Sequence, residues 1–333
     1  MQVVIPLAGL GTRMRPHTHS KAKPMLRLAG KPILGHLLNW VVDDRVDEVI
    51  LIISPHQRDV EPYARTATAQ PVRMVIQDEP RGQADAIARV RDFVDGPLLI
   101  LFSDTLADAT FDDLADVRSD GLIYVKEIPD PSRMGIVVVR DGRIVEIVEK
   151  PKDAVSRLAT IGMYYFRTSG LLFEAIDTVL AAPPSLNNEY FIADAIKVML
   201  DRGALLEPRP VGVWEDTGTP AYTLHAHRFL LDRSGVQPRP RPNVTVIPPV
   251  FIADDAVVSE SVIGPYVTVE SGCRVERSVL SDCILDQASV VRDSVLAHGL
   301  IGRRAIVTGA PAAVNVGDDS SLGPVGTEPL PSL

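Results

Sequence analysis

Leu7-Ala8-Gly9-Leu10-Gly11-Thr12-Arg13-Met14-Arg15-Pro16 follows directly on the apolar run Val3-Val4-Ile5. A buried strand that runs into a glycine loop opens an α/β sheet, where ligands gather at the carboxyl ends of the strands. Glycines there let the backbone pass close to a phosphate or base and turn its N–H groups toward it. The loop does not fit a dinucleotide fingerprint, because Met14 stands where a third glycine is needed and the second strand ends Ile53-Ser54-Pro55 without an acid. Nor does a Gly-Lys-Ser/Thr step follow at Walker-loop spacing. The loop instead delivers Arg13, and ten residues later Lys23-Pro24-Met25-Leu26 delivers a lysine, followed by Gly30-Lys31-Pro32-Ile33. A lone arginine or lysine reads as a solvated surface charge. Two cations bracketing a glycine loop at a strand end read as a phosphate cradle.

Outward from this loop, strands and helices alternate. Apolar runs at Val3–Leu7, Val49–Ile53, Val72–Ile76 and Leu98–Phe102 predict strands, and Ile33–Val42, Ala84–Phe93 and Asp113–Val117 predict helices. Continuous apolar strands separated by helices indicate a Rossmann-like, mixed but mostly parallel sheet covered on both faces. Ile136–Val139 and Ile144–Val148 flank Asp141-Gly142, a hairpin signal. One more strand, Met163–Phe166, and helices at Leu171–Leu180 and Phe191–Leu200 complete this region.

Pro238, Pro240 and Pro242 make residues 234–243 a stiff linker, closing a catalytic region expected over 1–233. Beyond it Ile263, Val269 and Val275 are six residues apart, as are Val295, Ile301 and Val307. Ser261-Val262-Ile263 recurs as Ser278-Val279-Leu280 and Ser294-Val295-Leu296. A hexapeptide period is the signature of a parallel β-helix, here expected over residues 244–325 as three or four coils of roughly 18 residues, with a flexible tail over 326–333.

The net charge of −9 gives no overall pull toward nucleic acid or an anionic membrane, so any phosphate must be held by a local basic cluster. No apolar run approaches the roughly 20 residues that span a bilayer. The start shows no signal-peptide pattern, and the two cysteines, Cys273 and Cys283, suit a reducing compartment, so a cytoplasmic location is expected.

In its ordered motifs the chain resembles the sugar-phosphate nucleotidyltransferases. The Gly-X-Gly-Thr-Arg loop with its Lys-Pro and Gly-Lys-Pro segments carries the resemblance. It continues through Gln77-Asp78-Glu79-Pro80-Arg81-Gly82, Ser103-Asp104, Glu149-Lys150-Pro151, Asn188-Glu189-Tyr190-Phe191-Ile192-Ala193-Asp194 and Trp214-Glu215-Asp216-Thr217-Gly218-Thr219. The appended β-helix, left-handed in that family, also fits. The chain departs from the family pattern at Ser103, at Ala22 and at Gln83-Ala84-Asp85.

The resemblance implies transfer of a nucleotidyl group from a nucleoside triphosphate to a sugar 1-phosphate, with Mg²⁺ as cofactor and pyrophosphate released. Leu7, Ala8, Gly9, Gly11, Thr12 and Arg13 would line the nucleotide. Gln77 and Gly82 would read the base. Arg13 would take the leaving pyrophosphate and Lys23 the α-phosphate. Gly135, Glu149, Lys150 and Glu189 would receive the sugar phosphate, and Asp104 and Asp216 would hold the metal. These roles suit the residue types, since arginine grips phosphate as a planar fork, lysine acts as a point charge, and magnesium takes oxygen ligands.

Gln77 suggests a pyrimidine nucleotide, dTTP or UTP, and glucose 1-phosphate is the expected sugar. The alternatives are a mannose-1-phosphate guanylyltransferase, an N-acetylglucosamine-1-phosphate uridylyltransferase and a non-catalytic regulatory subunit. The four retained charges, Arg13, Lys23, Asp104 and Asp216, argue against the last. Asp104 and Asp216 are each expected just after an apolar strand, Leu98–Phe102 and Val211–Trp214. Because the matched motifs all precede Phe229, the β-helix is expected to serve assembly, in a homo-oligomer, or regulation, leaving transfer to the residues before it.

Overall fold

The structure, a computed structural model, describes residues 1–152, 155–184, 188–309, 311–312 and 314–322. The tail expected from Gly326 and the last residues of the expected β-helix lie outside these. The chain forms two compact units. One comprises residues 1–10 and 34–214; the other comprises residues 11–33 and 215–333. The linker at 234–243 therefore falls inside the second unit.

The first unit is built on a nine-stranded mixed sheet. Its strands are β1 (Gln2–Pro6), β2 (Glu48–Ile53), β3 (Val72–Ile76), β4 (Leu98–Leu101), β5 (Gly121–Glu127), β6 (Gly135–Arg140), β7 (Arg143–Glu149), β8 (Leu158–Phe166) and β9 (Leu206–Pro210). They run in the order β7-β6-β8-β4-β1-β2-β3, and β5 joins β8 to β9. β4, β1, β2 and β3 are mutually parallel, whereas β8 is antiparallel to β4 and to β5. Val3, Val4 and Ile5 in β1, and the β2 and β4 cores, are fully buried because helices cover both faces, so these strands carry no polar alternation. The β6–β7 hairpin turns at Asp141-Gly142, both with positive φ, as a two-residue turn of that twist demands.

Helix α1 (Ile33–Trp40) buries Ile33, Leu34, Leu37 and Leu38, and ends before Val42, which is half exposed. Two expected helices differ. The run after Gly82 gives α3 (Gln83–Ala88) and a separate 3-10 turn at Arg91–Phe93, and the helix expected at Asp113–Val117 is a 3-10 turn at Phe111–Leu114, closed by a Thr110–Asp113 capping box. Helix α2 (Val60–Ala67), β5 and β9 were not anticipated; α4 (Ser169–Leu180) and α5 (Ile192–Asp201) were.

In the second unit, α6 (Pro220–Ser234) begins at the Thr219 cap with Pro220 in its first turn and ends at the left-handed Gly235. A parallel β-helix follows. Its period is shorter than 18 residues. Val244 pairs with Ser261, Arg274 with Val290, and Ile306 with Ser321, so successive coils advance by 17, 16 and then 15 residues. Shorter coils fit more of them into the same length, and five rungs stack in one column: Val250, Val267, Cys283, Gly299 and the strand Asn315–Val316. The shortening also breaks the six-residue series at its first member. Val295 is 58% exposed and Leu296 is 1% exposed, so the buried series runs Leu296, Ile301, Val307. The recurring serines form a buried ladder at one corner, each hydroxyl donating to the carbonyl two residues earlier. Those hydroxyls in turn accept the N–H of the next rung, Ser278 on Ser261 and Ser294 on Ser278.

Candidate functional site

Each unit carries its own share of the expected site residues. In the first, Leu7, Ala8 and Gly9 leave the end of β1. The Leu7 N–H donates to Ile52 O at 2.7 Å, and the Gln57 side chain donates to Leu7 O at 2.7 Å, so the loop starts from a fixed point. Val4 and Ile100 are parallel partners, which brings Gly9 and Asp104 out at the same edge of the sheet, as expected. Gln77 follows β3 and is 3% exposed. Its amide nitrogen donates to Asp85 Oδ2 at 2.7 Å and to Gly82 O at 3.3 Å. Carboxylate oxygen can only accept, so Asp85 fixes which way the amide points. Arg89 and Arg81 face the same carboxylate at 3.3 and 3.7 Å.

Gly82 has φ +108, and a Cβ there would lie 2.5 Å from the Tyr190 backbone. Residues 81–84 pair with Tyr190 through Tyr190 N–H to Arg81 O and Ala84 N–H to Tyr190 O. Glycine is therefore required here by a close backbone crossing as well as by its φ.

Register builds the cluster that was expected on the sugar side. Gly135 and Glu149 are cross-strand partners, and a Cβ at Gly135 would sit 2.9 Å from Thr160 Oγ1 and 3.0 Å from Glu149 Oε2. Burial raises the Glu149 carboxyl above its ordinary range; Lys150 opposes this, while the Asp194 and Glu189 charges add to it. Lys150 Nζ lies 3.4 Å from Glu149 Oε1 and 4.8 Å from the Phe191 ring centre. The buried Tyr164 hydroxyl donates to Thr160 Oγ1 at 3.3 Å, and burial raises it above the usual phenol range, with the Glu149 and Asp104 charges pushing the same way. Gly135, Glu149, Lys150 and Glu189 thus form one neighbourhood. Thr160, Tyr164 and Asp194 join it. The sequence offered no spacing signal for Thr160 or Tyr164, which sit inside a continuous apolar strand.

The second unit holds the rest. Gly11 is left-handed, and a Cβ on it would lie 3.0 Å from Lys23 Cβ and 3.2 Å from Thr18 Cγ2. The Thr18 hydroxyl donates to Gly11 O at 2.8 Å, closing the loop on itself. Thr12 and Arg13 are exposed in the next 3-10 turn, whereas Lys23 is 9% exposed. Asp216 closes a strand, Trp214–Asp216, rather than following one, and its Oδ1 accepts the Gly218 N–H at 2.7 Å. A Cβ at Gly218 would meet Asp216 Oδ1 at 2.8 Å and Arg13 Nη2 at 3.2 Å. The guanidinium and the carboxylate therefore flank one glycine. Among the described residues no three His, Cys, Asp or Glu side chains gather into a metal cage. Carboxylate oxygens such as those of Asp104 and Asp216 suit a hard cation whose remaining ligands come from phosphates and water.

Residues 2–233 match the family model described as nucleotidyl transferase. The chain belongs to the nucleotidyl transferase family. This nucleotidyl transferase is 29% identical over 360 residues to the glucose-1-phosphate thymidylyltransferase of Streptomyces antibioticus, covering 97% of the chain and 99% of that protein. It is 31% identical over 229 residues to the UTP–glucose-1-phosphate uridylyltransferase AglF of Haloferax volcanii, covering 66% of the chain and 92% of the relative. It is also 31% identical over 261 residues, 77% of the chain, to the bifunctional protein GlmU of Methanocaldococcus jannaschii, of whose length it spans 61%. Among solved structures, a putative glucose-1-phosphate thymidylyltransferase from Bacillus anthracis superposes with a TM-score of 0.62 at 21% identity, covering 72% of this chain and 98% of that one. At that identity the likeness concerns the fold, and it agrees with the mixed sheet described above. Among the described residues of the transferase, no helix is long and apolar enough to cross a membrane.

Proposed function

We propose that the chain joins a sugar 1-phosphate, glucose 1-phosphate first among them, to a pyrimidine nucleoside triphosphate, dTTP or UTP, and releases pyrophosphate. The observation that carries this reading is Arg13 and Asp216 flanking Gly218, beside a glycine loop closed over the buried Lys23. Two polyanions repel, so the work left to the protein is to neutralise them and hold them in line. Arg13 grips the leaving pyrophosphate as a fork. Lys23 offers a point charge to the α-phosphate, and its burial strengthens that charge by excluding water. Leu7, Ala8, Gly9, Gly11 and Thr12 supply backbone around the nucleotide. Glu149 and Glu189 accept hydrogen bonds from sugar hydroxyls, Gly135 leaves room for the ring, and Lys150 meets the sugar phosphate. Asp104 and Asp216 would hold Mg²⁺, which when bound offsets phosphate charge.

Gln77 reads the base together with Gly82. Its amide nitrogen is committed to Asp85 and to Gly82 O, so its carbonyl is what it offers. An acceptor suits the N3–H of uracil or thymine; the N1–H of guanine is its competitor, and this keeps guanylyl transfer as the second reading. Pyrophosphate release measured with dTTP, UTP, GTP and ATP against glucose, mannose and N-acetylglucosamine 1-phosphates tests both. Fastest turnover with a pyrimidine nucleotide and glucose 1-phosphate is expected. Fastest turnover with GTP would move the assignment to the second reading, and no turnover with any pair would remove it.

A further inference from the structure

The loop that carries Arg13 and Lys23 is fastened along the β-helix in reverse coil order. Gly30 packs against the Phe251 ring in the first coil, where a Cβ would come within 2.5 Å of it. Arg27 pairs with the buried Glu270 in the second coil at 2.7 Å. Lys21, with a side chain 5% exposed, pairs with Asp286 in the third coil and approaches Asp318 in the fifth at 3.4 Å. Asp318 also accepts from the Ser20 hydroxyl and from the Arg303 N–H. His17, 5% exposed, meets Asn315 Oδ1 at 2.6 Å, and Pro16 lies against Gly317. Between these points one gap of about 20 Å³ remains, bounded by Met14, His17, Leu26, Thr223 and Leu300 among others, enough for a water and too small for a metabolite.

A buried ion pair of this kind is weak evidence for stability, because desolvation offsets its attraction, but losing one partner leaves an uncompensated buried charge. Such pairs suit a role in register. The anchors at residues 16–21 and at Arg27 bracket Lys23 on both sides, and Gly11 is packed against Lys23.

We infer that the β-helix takes part in transfer as a template: the ionic anchor of Lys21 on Asp286 and Asp318, with His17 on Asn315 and Arg27 on Glu270, holds the loop of residues 11–33 in the shape that places Arg13 and Lys23. Lys21 is then a positioning residue that acts through Lys23 and Arg13. The inference rests on the phosphate-binding roles proposed for those two residues. A misplacement of about 1 Å in a catalytic group can cost about 10²-fold in rate. On this inference the β-helix is no bystander to transfer: each of its five coils touches the loop, the fourth through Arg303, whose guanidinium donates to the Ser20 hydroxyl at 3.3 Å.

The test uses the full-length protein and two readouts: kcat and KM for pyrophosphate release, and amide hydrogen exchange of residues 11–25, which needs no activity. Lys21→Met and Asp286→Asn should each lower kcat about 10²-fold, leave KM for the sugar phosphate within about twofold, and speed exchange in the loop. The reversed pair Lys21→Asp with Asp286→Lys should recover at least tenfold of the loss. Arg277→Ala, which breaks the exposed corner pair with Asp293, should change neither readout. If Lys21→Met does not fold, Asn315→Ala, which removes only the His17 contact, carries the same readouts at smaller size. Faster exchange with unchanged kcat, or lowered kcat with unchanged exchange, overturns the inference. A wild-type protein that transfers nothing while anchor variants still exchange faster would overturn the proposed reaction and leave the anchor standing.

Discussion

The proposed sugar-side cluster of the first unit and the proposed phosphate loop of the second are held by different means. Gly135, Glu149 and Thr160 stand where strand register puts them; Gly135 and Glu149 are partners across a hairpin whose ladder would have to slip to separate them. Arg13 and Lys23 lie on a segment with two 3-10 turns and a short two-stranded ribbon, so little of its shape comes from a ladder. Long-range side-chain contacts take the ladder's place. The difference predicts where each is vulnerable: the first to steric intrusion, the second to a change of charge.

The largest expected effect tests the proposed metal carboxylates. Asp104→Asn and Asp216→Asn should each lower turnover by about 10²–10³, the scale of losing a preorganised electrostatic contact. If both act through one ion, the double variant should cost far less than the product of the singles. Near-normal turnover of both singles at limiting Mg²⁺ would sink the assignment.

The next effect concerns charge in the second unit and is read from pH. Burial lifts Glu270 to about 7 from an ordinary 4.5, against the opposing pull of Arg27. The folded state thus binds this proton more tightly than the unfolded state, so the contribution is full below about pH 4.5 and is lost as pH rises toward 7, by at most about 3 kcal/mol. Thermal melting across pH 4 to 8 should show that decline, and Glu270→Gln should flatten it. An unchanged slope in the variant would mean that Glu270 is not the titrating group.

Steric intrusion comes third. Gly135→Ala places a methyl group 2.9 Å from Thr160 Oγ1 and 3.0 Å from Glu149 Oε2. Overpacking of this kind costs about 1–3 kcal/mol, and it should appear as a raised KM for the sugar phosphate with KM for the nucleotide unchanged. Equal rises in both constants would argue that Gly135 does not face the sugar.

The last comparison checks the β-helix register and contains the smallest single change, at Val295. Val295→Thr should change stability by less than about 0.5 kcal/mol, whereas Leu296→Ala should cost about 2–5 kcal/mol in denaturant unfolding. The reverse order would restore the six-residue register read from Val295.

Sequence patterning reached most of the strands whose both faces are buried, since those read as unbroken apolar runs, and it reached the hairpin at Asp141-Gly142, but it passed over β5, whose Leu122, Ile123, Tyr124 and Val125 are just as buried. It reached the existence of the β-helix but not its coil length, because one-residue deletions at corners leave the local six-residue spacing intact. Helix α6 carried its signals in Thr219, Pro220 and Gly235, yet its buried face, Thr223, Leu224, Ala226, His227 and Leu231, is broken by the polar Thr223 and His227. In the site, motif order picked out Gly135, Glu149, Lys150 and Glu189, which fall in one neighbourhood. It gave no hint of Asp85 on Gln77, nor of Lys21, whose charge reads as a surface lysine until its partner, more than 260 residues away, is brought to it.

The serine ladder repeats one contact from rung to rung, and a stack built that way has no natural end: a sixth coil would be as well paired as a fifth. What counts the coils is the loop laid against them. Between Arg27 and Pro16 it crosses from the coil of Glu270 to that of Gly317, and adjacent parallel strands are about 4.8 Å apart. Inserting one further coil between Asp286 and Asp318 would move Asn315 and Asp318 that far from His17 and Ser20. Duplication of a repeat, usually the easiest way for such a stack to grow, is here closed off in the stretch the loop spans and left open before Phe251 and beyond Asp318, where no anchor has to be kept in step.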